Sequence, residues 1–212
     1  MMVQRPGPVH PSIRLVRPSE EAELIAGCKA GDPAAFRKLF ERERLRVHRL
    51  LFRVVGSNTH MDDLLQDAFL EVFRSLPSFR GDSSLRTWID RCVIRVAYAH
   101  FRRKARVPAL ELLQDVGADG PSPEDRTTGR EALRRFYAEL ERLEPQQRMA
   151  FTLFSIEGRP LREIAQIMDS TLATAKIRTW RARRTLEQRA KKDPILSEFL
   201  ASRSDESEES TR

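Results

Sequence analysis

Residues Leu143–Leu186 read LEPQQRMAFTLFSIEGRPLREIAQIMDSTLATAKIRTWRARRTL, and this stretch decides the fold. It reads as a helix, a short break, a helix, a sharp turn and a very basic last helix. Leu161, Ile164, Ala165 and Met168 fall at i, i+3, i+4 and i+7, one apolar stripe. Asp169-Ser170-Thr171 interrupts that stripe with turn and cap chemistry. A basic helix from about Leu172 to Arg189 follows, with Ala175, Thr179, Ala182 and Leu186 recurring at spacings of 4, 3 and 4. Small residues there allow close packing on the preceding helix. Lys176, Ile177, Trp180, Arg181 and Arg184 share another face, within about 140°. Two short helices joined by a tight turn, the second basic, place side chains in a DNA major groove. A plain solvated face is the alternative, and the helix-turn-helix before it puts DNA contact ahead.

Working outward, helical periodicity dominates and strictly alternating β-branched runs are absent, so the fold class is all-α. The 212 residues divide into two small helical domains on a flexible linker. Residues 1–18 carry four prolines and no periodicity and read as a disordered arm. A first domain covers 19–106, with helices expected from Glu20 to Ala30 after a Ser19 cap, Ala34 to Val55, Met61 to Leu76, and from a Ser83 or Ser84 cap to Lys104. Residues 107–129 read as an acidic linker with one helical turn at Ala109–Gln114. The second domain covers 130–192, and 193–212 reads as an acidic disordered tail.

Net charge is +7, unevenly spread. Residues 80–107 hold eight basic and two acidic side chains, and 130–192 hold fifteen and eight. Two basic blocks suggest two contacts with a polyanion, most plausibly nucleic acid; solvated helix faces explain either block alone equally well. Cys28 and Cys92 lack metal or disulfide spacing and read as small core residues. The histidines form no i, i+4 pair, so no metal site is expected. No apolar run approaches a membrane span, which implies a reducing, cytoplasmic setting and no membrane insertion.

Two helices of the first domain carry further signals. Asp62–Leu76 presents Leu64, Leu65, Ala68, Phe69, Val72, Phe73 and Leu76 behind Asp62, Asp63, Gln66 and Asp67. This suits either an ordinary core helix with a favourable first turn or a docking surface for a partner helix. In Ser84–Lys104, Arg91, Arg95, Tyr98 and Arg102 fall within about 60° of each other, with Trp88 at the edge. Such a stripe suits a single strand, arginines on phosphates and rings on bases. For Trp88, a partly buried core position is an equal alternative.

FRSLPSFRGDSSLRTWIDRCVIR and REIAQIMDSTLATAKIRTWRARRTLE together resemble the signatures of the extracytoplasmic-function (ECF) group of bacterial sigma-70-type sigma factors. The resemblance covers about Glu20–Lys192. It implies a sigma region 2 helical bundle followed by a sigma region 4 helix-turn-helix at Leu161–Trp180, in a specificity subunit that is not an enzyme and needs no cofactor. The implied partners are core RNA polymerase (the β′ clamp helices and the β subunit), promoter DNA and an anti-sigma factor. On this implication Asp63, Leu64, Gln66, Asp67, Phe69, Val72, Phe73 and Leu76 bind core polymerase. Arg80, Trp88, Arg91, Arg95, Tyr98, Arg102 and Arg103 serve recognition and melting of the −10 element. Thr174, Lys176, Ile177, Arg178, Trp180, Arg181 and Arg184 read the −35 element.

The resemblance further implies neither a region 1.1 domain nor an extra C-terminal domain. Five positions depart from the family pattern. Arg95 stands for a usual Asn, Ala99 for Asp, Asp169 and Ala173 for turn glycines, and Ile177 for Ser. Arg95 favours phosphate contact over base reading, and Ile177 replaces a polar contact by an apolar one, for example to a thymine methyl. The rival reading is a stand-alone helix-turn-helix transcriptional regulator.

Overall fold

The computed structural model describes residues 18–57, 60–104 and 123–198, and every element it assigns there is helical. The first domain comprises α1 (Pro18–Lys29), α2 (Pro33–Val55), α3 (Met61–Ser75), a 3-10 turn (Leu76–Ser78) and α4 (Leu85–Lys104). The second comprises α5 (Pro123–Glu141), α6 (Pro145–Phe151), a π-helical segment (Thr152–Ile156), α7 (Leu161–Ile167) and α8 (Leu172–Ala190).

Local chemistry sets the helix ends. Asp32 caps α2 by accepting from the Ala34 amide at 2.9 Å, and Pro33 follows in the first turn. Gly56 ends α2 at φ 70°, a left-handed conformation that glycine adopts without strain. Of the two serines before α4, Ser84 is the cap; its Oγ accepts from the Thr87 amide at 3.1 Å. Glu144 caps α6, and Thr171 caps α8 by accepting from the Thr174 amide. Asp169 takes the left-handed turn at φ 49°, where its short polar side chain is tolerated.

Three sequence expectations shift. Helix α1 begins at Pro18 instead of after Ser19. Helix α5 begins at Pro123, so helix replaces the C-terminal part of the expected linker. The chain also stays ordered beyond residue 192: Asp193 caps a helical turn over 194–198, pairs with Arg135 at 2.9 Å, and Leu196 is buried. Burying one leucine and closing that pair hold a segment whose composition alone reads as tail. The arm at 1–17, the Ala109–Gln114 turn and the tail beyond 198 lie outside the described residues.

The first domain packs α2, α3 and α4 around Leu39, Leu51, Leu64, Val72, Leu76, Ile89 and Val93, all nearly inaccessible. Phenylalanines seam α2 to α3: Phe36–Phe73 and Phe40–Phe69 lie at 4.8 and 4.7 Å between ring centroids. Met149, Leu153, Ile164 and Ile167 of the second domain join this same cluster. A smaller cluster of Leu140, Leu143, Phe151, Ala182 and Leu186 ties α5, α6 and α8 together. The two domains therefore share one continuous apolar core.

Candidate nucleic-acid interface

Helix α8 sorts its side chains as the 4-3-4 spacing requires. Ala175, Thr179, Ala182 and Leu186 are buried, and their small size lets α6 and α7 approach. Lys176, Ile177, Trp180, Arg181 and Arg184 are exposed on the other side. Ile177 and Trp180 are 49% and 56% exposed, unusual for large apolar side chains on a packed helix. Arg184 stacks on Trp180, 5.3 Å from guanidinium carbon to ring centroid. Thr174 pairs with Thr171 through their hydroxyls, and Arg178 donates to the side-chain carbonyl of Gln146 on α6. Of the seven expected −35 residues, five form an open surface and these two are engaged within the fold.

Helix α4 is arranged differently. Ile89, Cys92, Val93 and Ala97 face the core. Trp88 is half-buried against Phe79 at 5.4 Å, so it is a packed aromatic. Arg80 and Arg102 are exposed, and Arg103 lies 3.5 Å from Asp67 of α3. The other three expected −10 residues meet the second domain. Arg91 Nε donates to the Gln166 carbonyl at 2.9 Å, Arg95 lies 3.9 Å from Asp169, and Tyr98 Oη accepts from Gln146 Nε2 at 3.4 Å.

On α3, the expected docking helix, Leu64, Phe69, Val72 and Leu76 are at most 3% exposed and belong to the chain's own core. Phe73 is half-buried in the aromatic seam. Of the expected docking residues, Asp63 and Gln66 are exposed and Asp67 is partly so. Leu70, which the sequence reading missed, is 50% exposed between them. Its signal was available, since it sits on the polar side of the apolar stripe at i+3 and i+4 from Asp67 and Gln66.

The Sigma-70 region 2 model matches residues 39–107, and the Sigma-70, region 4 model matches residues 133–186. The ECF RNA polymerase sigma-E factor of Haemophilus influenzae is 31% identical over 176 residues, covering 78% of this chain and 93% of that protein. That of Escherichia coli K12 is 30% identical, covering 78% and 92%. The chain belongs to the ECF group of sigma-70 sigma factors.

Two solved structures share the sigma factor's fold at a TM-score of 0.57. One is CnrH in complex with the cytosolic domain of CnrY, 24% identical over 81% of this chain and 97% of that one. The other is the sigma factor RpoE in complex with the anti-sigma factor NepR from Bartonella quintana, 21% identical over 72% and 94%. As a sigma factor the chain is a transcription initiation factor that works with RNA polymerase on promoter DNA, not an enzyme.

One polar cluster of this sigma factor went unread in the sequence. Asp90 of α4 is fully buried and accepts from Arg46 of α2 on one side and from Arg159 Nη2 of the second domain, at 2.5 Å, on the other. Burial pushes the Asp90 carboxyl up, and Arg46 and Arg159 pull it back in part. Burial works against the Arg46 charge, but Asp90 and Glu43 outweigh it and raise its pKa. Arg148 of α6 is also buried; it donates to the Val55 carbonyl and lies 5.0 Å from the Phe101 ring centroid. Its burial draws it down to about 10. Among the described residues no group of three His, Cys, Asp or Glu side chains can hold a metal ion, and no helix is long and apolar enough to cross a membrane.

Proposed function

We propose that this sigma factor divides its work among three helices. Helix α8 reads the −35 element in the major groove. Helix α4 and the loop before it bind and open the −10 element. The outward face of α3, with Asp63, Gln66, Asp67 and Leu70, docks on the β′ clamp helices of core polymerase. The observation that carries the reading is the two-sided α8, small and buried toward its own domain, cationic and apolar toward solvent.

Cation-rich faces supply phosphate contact, and the exposed Ile177 and Trp180 supply apolar contact to base edges. On α4, arginines near an aromatic suit a melted strand, because each extruded base regains stacking of roughly 1–3 kcal/mol. The factor is proposed to act in the cytoplasm, where the polymerase is. The solved relatives held by CnrY and NepR support an anti-sigma partner for this chain too. Adding the purified protein to core polymerase and a random-promoter library, then sequencing the transcripts, tests the whole scheme. Transcripts are expected to share two spaced elements upstream of their starts. Output no different from core polymerase alone would sink the sigma reading for this chain.

A further inference from the structure

The large apolar side chains on the open face of α8 have no role inside the fold. Leu172, at 46% exposed, lies on that face with Ile177 and Trp180, and none of the three joins either apolar cluster. Each keeps in water apolar surface that a polar residue there would not. Helix propensity does not call for them, because Ile and Trp are middling helix formers. Ile177 has no polar atom in its side chain, so it can neither hold a phosphate nor bond a base donor or acceptor. In a major groove it can meet the one apolar group that base edges present there, the methyl on C5 of thymine.

Two such contacts fit the helix. At 100° and 1.5 Å per residue, Ile177 and Trp180 lie about 60° apart around α8 and about 4.5 Å apart along it. Base pairs rise about 3.4 Å, so the two side chains span about one base step when α8 lies along the groove. Leu172 sits about 7.5 Å before Ile177, too far to share that step. Arg184 stacks on the Trp180 ring at 5.3 Å and so fixes the indole in place. Lys176 and Arg181 are exposed on either side of the two apolar groups, placed for the phosphates of the two groove walls.

We infer that Ile177 and Trp180 read the C5-methyl groups of pyrimidines on two neighbouring base pairs of the −35 element. This rests on the assignment of α8 to that element made above, and adds what α8 recognises there. The contact is with the methyl and not with the rest of the ring. The same side chain therefore tells thymine from uracil and 5-methylcytosine from cytosine. A promoter with cytosine at that step is a stronger site when the base is methylated, which makes the factor sensitive to cytosine methylation.

The test uses the holoenzyme, core polymerase with the full chain. Duplexes bound from a random-sequence pool are expected to carry thymine, on one strand or the other, at two neighbouring −35 positions. The best-bound duplex is then remade with deoxyuridine for one −35 thymine at a time, which removes a methyl and keeps the base pair. Wild type is expected to bind each of two such duplexes about fourfold more weakly, the worth of one buried methyl. Ile177→Ala should lose that difference at one position and Trp180→Ala at its neighbour. Both side chains are exposed, so both variants keep the fold. With cytosine in place of the thymine that faces Ile177, C5 methylation should restore about fourfold.

Equal wild-type binding of thymine and deoxyuridine duplexes, while Arg181→Ala still weakens both, overturns methyl reading and leaves α8 on the −35 element. A deoxyuridine effect that persists in both alanine variants overturns it too, because the methyl then acts through DNA shape. So does the absence of thymine from the selected −35 positions, or equal binding of cytosine and 5-methylcytosine. Binding unchanged in Arg181→Ala, Ile177→Ala and Trp180→Ala alike removes α8 from the element altogether, and the inference with it.

Discussion

At the residue scale, the informative positions are those where chemistry and burial disagree. Ile177 and Trp180 are large and apolar yet exposed, and Asp90 is charged yet fully buried. The first pair was legible in the sequence, because a regular 3.6-residue period assigns Ala175, Thr179, Ala182 and Leu186 to one side and leaves Ile177 and Trp180 on the other. Asp90 was not, because its partners are 44 and 69 residues away and no local pattern joins them. Arg181 is exposed on the open face of α8, and Arg181→Ala is expected to weaken initiation from promoters bearing the −35 element by about 1–3 kcal/mol. In the same transcription assay, Ile177→Ser should shift base preference at one −35 position with a smaller change in total output. An unaltered promoter profile for both variants would count against α8 as the reading helix.

At the element scale, α3 shows why an apolar stripe does not reveal its partner. Its period was plain, but the stripe faces α2 and α4, so the core takes it and only the polar edge and Leu70 remain outside. Leu70→Glu is therefore expected to abolish binding to core polymerase while leaving the melting temperature within a few degrees of wild type. Phe69→Glu, placing a charge where exposure is 3% in the shared core, should instead unfold the chain. Polymerase pull-down beside circular dichroism separates the two. Helix α5 carries a pH-dependent pairing. Hydrogen bonds from Arg134 and Arg135 hold the Glu131 carboxyl down to about 2. A depressed folded pKa means that the contribution is present above the ordinary value of about 4.5 and lost as pH falls toward 2. Glu131→Gln should thus lower thermal stability slightly at pH 7, with the gap closing as pH falls through that window in matched thermal melts.

At the scale of the whole molecule, the shared core makes the two domains one folding unit in the free chain. Thermal unfolding is expected as a single transition, with Ile164→Ala costing about 2–5 kcal/mol and lowering the whole curve. Two separate transitions in calorimetry would contradict the shared core. Most helices, the Pro33 start of α2, the Asp169 turn before α8 and the two basic blocks were determined by the sequence alone, because hydrogen bonds within a turn and a 3.6-residue period are local. So was the family, since its motifs lie in contiguous stretches. Only the tertiary structure decided that α5 reaches back to Pro123, that Leu196 folds inward, that four docking candidates on α3 serve the core, and that Arg91 of α4 meets the Gln166 carbonyl of α7. Each of these depends on surfaces meeting across dozens of residues. Which of two compatible apolar faces or opposite charges meet is settled by packing in three dimensions, and periodicity carries no record of it.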